Sequence, residues 1–129
     1  MRDFYFFTSQ KITAKDCFDA LSKEIINTSV SKKTEEIQIS MGDKHRSYLW
    51  FYNERLSDGI YESDEDFEKE KKLIPITDPF INHFETYRSV DAKRVIKILV
   101  GIFPELYINV ADDEWYGSAQ EYLDTEFDY

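Results

Sequence analysis

His45 and His83 are the side chains best suited to proton transfer near neutral pH, and together they could serve as the acid and base of a metal-free nuclease. His45 stands between Lys44 and Arg46 in a turn, where an exposed histidine is ordinary, and His83 reads as a satisfied sheet residue. Asp64, Asp66 and Glu68 alternate as at the start of a calcium loop. Lys69 stands where that loop needs Gly, however, and Pro75 where it needs a bidentate Glu. Asp112-Asp113-Glu114 could join other carboxylates around magnesium, but phosphoryl chemistry also wants basic groups to hold its substrate. No Lys or Arg follows Lys97. Asp58 with Glu70-Lys71-Lys72 has the outline of a nuclease motif, yet its Glu and Lys should lie on a core strand and this segment is nearly all charged. One Cys and two His do not make the common structural zinc sets. Gly-rich phosphate loops and G-x-S-x-G are missing. The residues point away from an enzyme, and no catalytic residue, metal or cofactor is expected.

The elements that must position such groups fit one domain over residues 1–129. Hydrophobic residues make up 42% and aromatics 16%, too apolar for disorder. A lone Cys suits a reducing compartment. Met1 to Phe7 is too short and too charged for a signal peptide, and no stretch reaches the roughly 18 apolar residues of a membrane helix. The expected location is the cytoplasm.

Phe4 to Thr8 reads as a first strand buried on both faces. Thr13 to Asp16 caps a helix with Ala14, Cys17, Phe18, Leu21 and Ile25 on one stripe, so Cys17 is a packing residue and not a nucleophile. Asn27-Thr28-Ser29 reads as turn chemistry ending it. Ile37, Ile39 and Met41 alternate in a strand that Gly42-Asp43-Lys44 turns into the next, Ser47 to Asn53. In that strand Tyr48, Trp50 and Tyr52 share one side, Leu49 and Phe51 the other. It is central in a covered sheet, the favoured reading, or it offers aromatics to a ligand. Asp64 to Lys72 is an acidic loop or a short exposed helix anchored by Phe67. Leu73 to Ile76 reads as an edge strand. A strand over Phe80–Arg88 could pair with Ser47 to Asn53. After it come a helix with Ala92, Val95, Ile96, Leu99 and Phe103 inward and a strand, Leu106 to Val110. An acidic aromatic loop, 112–117, leads to a capping box at Ser118–Glu121 that opens a terminal helix with Tyr122, Leu123 and Phe127 inward. The expected fold is α+β: a largely antiparallel sheet of about five strands, two main helices and a short C-terminal one, in the order β-α-β-β-(β)-β-α-β-α.

The net charge is −10, and it is unevenly spread. Residues 1–57 carry nine basic and eight acidic side chains, residues 58–129 seven and eighteen. That excess argues against direct nucleic-acid binding, which needs a basic face to displace counterions. Solubility does not require acid to be segregated, whereas a docking surface for a basic partner does. Interfaces draw their energy from buried aromatics, with charge steering the encounter. Trp115 and Tyr116 directly follow Asp112-Asp113-Glu114. The same Trp115 could instead close the core.

The helix Ala92 to Leu99, the strand Leu106 to Val110, the turn Asp112-Asp113-Glu114, and Gly117-Ser118 before Glu121-Tyr122-Leu123 resemble the C-terminal part of small bacterial immunity proteins of contact-dependent or polymorphic toxin systems. The resemblance implies a cofactor-free cytoplasmic inhibitor that binds a toxin domain and has no catalytic residues. From the charge, the toxin is expected to be basic, such as a nuclease. Glu62, Asp64, Glu65 and Asp66, with Asp112, Asp113, Glu114, Trp115 and Tyr116, are expected to form or border the interface. Two other classes fit less of the pattern: an acidic nucleic-acid mimic from a mobile element, and a small hydrolase using His45, His83 or the acidic loop.

Overall fold

β1 (Arg2–Thr8) sits inside the sheet, with Phe4 and Phe6 buried on one side. On the other side Phe7 is buried while Tyr5 is 38% exposed, so the strand is not buried on both faces as its aromatic run suggests. The computed structural model describes residues 2–25, 28–31, 35–40, 46–59, 63–111 and 114–126. After β1 come α1 (Ala14–Glu24), β2 (Thr28–Ser31), β3 (Glu36–Ser40), β4 (Arg46–Arg55), a 3₁₀ turn (Leu56–Asp58) and α2 (Asp64–Leu73). Then follow β5 (Phe80–Thr86), α3 (Ser89–Val100), β6 (Tyr107–Val110), β7 (Trp115–Ser118) and α4 (Ala119–Leu123). Among the described residues the seven strands make one sheet, in the order β2-β3-β4-β5-β1-β6-β7, and every pair is antiparallel. The fold is α+β, as the run of consecutive strands implies.

One face of the sheet carries the main core. Phe4 and Phe6 of β1, Ile37 and Ile39 of β3, Leu49 of β4, Phe84 of β5, and Ile108 and Val110 of β6 meet the inner stripes of α1, α3 and α4. Those stripes are the ones periodicity gives: Cys17, Leu21 and Ile25 after α1's Thr13 cap, and Ala92, Val95, Ile96 and Leu99 on α3. Burial pushes the Cys17 thiol up to about 12, with Asp16 adding to the shift, so it stays a protonated packing group. At α3's first turn Arg88 donates twice to Asp91, at 2.8 and 2.9 Å, which pairs a carboxylate that is otherwise buried. The Ser118–Glu121 capping box of α4 is complete, with both hydrogen bonds at 3.0 Å.

The opposite, outer face is only partly covered. Helix α2 lies over one end of it through Phe67, which packs on Phe7, Leu56 and Ile74 beside Ile76, Ile81, Tyr107 and Tyr116. Ser63 caps α2, three acids occupy its first turn, and Lys71 and Lys72 its last. Charges of those signs at those ends favour a helix that little apolar burial supports. Of the two readings of this segment, the helix is the one observed.

Four other details differ from the expected layout. The sheet has seven strands, not about five. Residues Thr28–Ser31 pair with β3 instead of forming only a turn, and Trp115–Ser118 pair with β6 where a loop was expected. Leu73 ends α2, and Ile74 to Ile76 are not in a strand: Ile74 is a buried plug beneath α2. The Gly42–Lys44 turn and Phe127 lie outside the described residues. None of the helices described is long and apolar enough to cross a membrane.

Strand β4 carries a bulge. Trp50 pairs with His83 and Glu54 with Ile81, so β4 fits two extra residues into that interval. Asn53 absorbs them at φ 49°, in the left-handed region that Asn tolerates better than most residues. Its side chain then acts as a strand partner for the connection after β1. Asn53 Oδ1 accepts from the Ile12 N–H at 2.9 Å, and Asn53 Nδ2 donates to the Ile12 carbonyl at 2.8 Å. Buried Asn82 completes the set, accepting from the Asn53 N–H at 2.8 Å and donating to Asn53 Oδ1 at 3.1 Å.

Candidate functional site

The registers arrange the outer face in rows. One row runs Tyr116, Asn109, Tyr5, His83, Trp50, Glu36 across β7, β6, β1, β5, β4 and β3. A neighbouring row runs Asp3, Glu85, Tyr48, Gln38. Helix α2 covers the Tyr116 end, and the middle of both rows stays at the surface. Tyr5 is 38% exposed, while Tyr48, Trp50, His83 and Glu85 are half-buried.

Four rings on this face stack in series. Tyr5 and His83 lie 5.2 Å apart at 18°, His83 and Trp50 4.8 Å apart at 25°, and Trp50 and Tyr48 5.5 Å apart at 11°. Such cross-strand pairs stiffen a sheet surface over which none of the described helices lies. Carboxylates border the series. His83 Nε2 lies 2.9 Å from Asp3 Oδ1, and Asp3, His83 and Glu85 bring their ligand-type atoms within 4.8 Å of one another. They are the residues described here that could together hold a metal ion. Of the two readings of β4, the sheet is therefore covered on the Leu49 side and open on the Tyr48 and Trp50 side, and Tyr52 is 60% exposed.

At the α2 end the two acidic segments meet. Asp66, Lys69, Glu70 and Leu73 of α2 form one wall of a groove of about 350 Å³, and Glu114 and Tyr116 stand opposite, with Asn109 and Ala111 also lining it. Burial first, then the negative charges of Glu70 and Glu114 and the nearby Tyr107, push the Tyr116 hydroxyl up to about 12. Glu70 also raises Tyr5, after burial and Asp3, so its field reaches both the groove and the ring series.

No family model, curated protein or solved structure matches this chain.

Of the residues expected at an interface, Asp64, Glu65 and Asp66 are exposed in the first turn of α2, and Asp66 lines the groove with Glu114 and Tyr116. Trp115 and Tyr116 do not form one anchor pair. Neighbours on a strand point to opposite faces, and Trp115 turns to the main core, 5.8 Å from Tyr122 with its ring over Gly117. A Cβ at Gly117 would collide with that ring, which is why glycine stands there. Glu62, Asp112, Asp113 and His45 lie outside the described residues. Sequence reasoning missed Glu70 as a groove residue, and missed Tyr5, Asp3 and Glu85 altogether. The usable signal was the alternation of polar and aromatic side chains along β1 and Phe80–Thr86, which marks a face open to water.

Removing either acid should let the Tyr116 hydroxyl ionise at lower pH. Glu70→Gln and Glu114→Gln are each expected to shift the phenolate absorbance of Tyr116 downward, with Tyr116→Phe identifying the signal. Because the folded value lies above the unfolded one, near 10, this group's contribution to stability is whole below pH about 10 and is lost as pH rises through about 12. Denaturant midpoints measured over that window should fall less steeply for Tyr116→Phe than for the parent chain. An identical slope would contradict the assignment.

Proposed function

We propose that this chain is an inhibitor of the immunity type, binding a basic toxin domain through its acidic, aromatic outer face and performing no catalysis itself. The observation that carries this reading is the convergence of Asp66 and Glu70 with Glu114 around Tyr116. Acid from two segments far apart in sequence is gathered at one place on a surface, where it outnumbers the one cation, Lys69, among the described residues lining the groove, and mutual repulsion opposes that excess. A cationic partner offsets that repulsion. The half-buried Tyr116 and the ring series from Tyr5 to Tyr48 supply rigid aromatic area at little entropic cost. Lysine and arginine side chains of the partner would enter the groove, and the surrounding charge would speed its capture.

The test mixes the purified chain with the C-terminal domain of its genomic neighbour's product and measures binding by calorimetry at low and at physiological ionic strength. A complex that weakens as salt rises is expected. Glu70→Lys combined with Glu114→Lys should weaken it at least tenfold while the circular dichroism spectrum is unchanged, and should abolish rescue of cells expressing that domain. No complex at low ionic strength, together with no rescue by the parent chain, would overturn the reading.

A further inference from the structure

Asp3, His83 and Glu85 sit on adjacent paired strands, Asp3 directly opposite Glu85 and His83 two residues before Glu85 on the same face. All three are half-buried, with donor atoms gathered within 4.8 Å. The imidazole is held between Tyr5 and Trp50, which restrains its swing and keeps Nε2 toward Asp3 Oδ1 at 2.9 Å. The Glu85 carboxylate has no hydrogen bond or ion pair among the described residues, and no described Lys or Arg pairs with Asp3. Two carboxylates stand beside one imidazole, which bonds only Asp3, and among the described residues neither carboxylate has an ion pair with Lys or Arg.

We infer that these three side chains bind a divalent first-row transition ion, with zinc as the best fit. Imidazole nitrogen and carboxylate oxygen are each zinc donors, whereas calcium takes six or more oxygens and magnesium near-ideal octahedral oxygen. Zinc–ligand bonds of about 2.0–2.2 Å place donors roughly 3.3 Å apart in a tetrahedron, so the widest separation must close by at most about 1.5 Å while the 2.9 Å His83–Asp3 pair opens slightly. Glu85, which has no hydrogen bond or ion pair among the described residues, can supply that movement by a change of rotamer. Three protein ligands leave a fourth position for water or for a donor from a second molecule. The ion would bind the free chain, so this inference stands apart from the inhibitor reading.

The metal-free chain is titrated with zinc by calorimetry, and separately with Cu²⁺ while tryptophan fluorescence is followed. One saturable equivalent is expected. Asp3→Asn and Glu85→Gln should each weaken zinc at least tenfold, and His83→Gln should abolish the saturable phase, with melting curves confirming that each variant is folded. Cu²⁺ should quench the part of the emission that Trp50→Phe removes and spare that of Trp115, which lies on the other face. Absence of saturable binding, or parental affinity in any of the three ligand variants, would overturn the assignment.

Discussion

Phe84→Ala should lower folding stability by about 3–5 kcal/mol, the cost of deleting a large ring from a packed interior that does not collapse to fill the hole. Phe84 is fully buried at the middle of β5, paired with Leu49 on one side and Phe4 on the other. Its ring lies 5.5 Å from that of Phe4 and 5.4 Å from that of Phe6. Those two are fixed by their own ladder on β1, and Phe4 is further held edge-on against Tyr122 of α4 at 5.5 Å. None can slide into the cavity without breaking strand register. Since single domains are stable by only about 5–15 kcal/mol, the variant should lose a large fraction of the total. Val90→Ala is the control: Val90 is 62% exposed on α3, and its loss should stay within about 0.5 kcal/mol. Urea unfolding followed by circular dichroism reads both. Equal midpoints for the two variants would show that the core is not centred on Phe84.

Asn53→Ala comes next, at about 3 kcal/mol, for different reasons. It removes both side-chain bonds to Ile12 and leaves the buried amide of Asn82 short of its acceptor, losses of about 1–3 kcal/mol for each unsatisfied group. It also puts a Cβ without a compensating polar group at φ 49°, a strain of about 1 kcal/mol. Asn53→Gly makes the same losses without that strain and should be milder by about 1 kcal/mol. The ordering Asn, Gly, Ala in unfolding midpoint is the signature to look for. If alanine were equal to or better than glycine, the left-handed backbone at Asn53 would not be a cost the side chain offsets.

Local patterns in this sequence read well wherever apolar spacing or cap chemistry was strong. Leu21, Val95 and Ile96 lie on the stripes their spacing implies, and Ser118 with Glu121 forms the box their types suggest. Elements whose stability comes from a neighbour were harder to see. Thr28–Ser31 has little apolar character and is a strand because β3 supplies its partners, and Gly117 interrupts the signal of β7. The site depended even more on distant pairing. Glu70 and Glu114 come together only because β6 pairs with β1 and α2 crosses the face they share. Charge arithmetic showed that acid was segregated, but not that Trp115 and Tyr116 part company across the sheet. His83 looked like an ordinary sheet residue because, although Glu85 follows two residues on, nothing in its flanks reveals that Asp3 of β1 stands beside both.

The position of β1 between β5 and β6 has a consequence for how the chain is made. Its hydrogen-bonding partners begin at Phe80 and Tyr107, so an aromatic strand emerges from the ribosome long before anything can pair with it. At about 5–20 residues per second, that wait lasts several seconds. Meanwhile β2, β3 and β4, neighbours in the chain, can pair early and give α1 part of its sheet, but they offer β1 no edge until β5 is made. Contacts so far apart in sequence make folding slow, and Phe4 to Phe7 is the kind of apolar, β-prone segment that aggregates while it waits. Yield during rapid synthesis is therefore set less by final stability than by how long those rings stay uncovered, and slower translation or a chaperone that holds the first strand should favour the folded product.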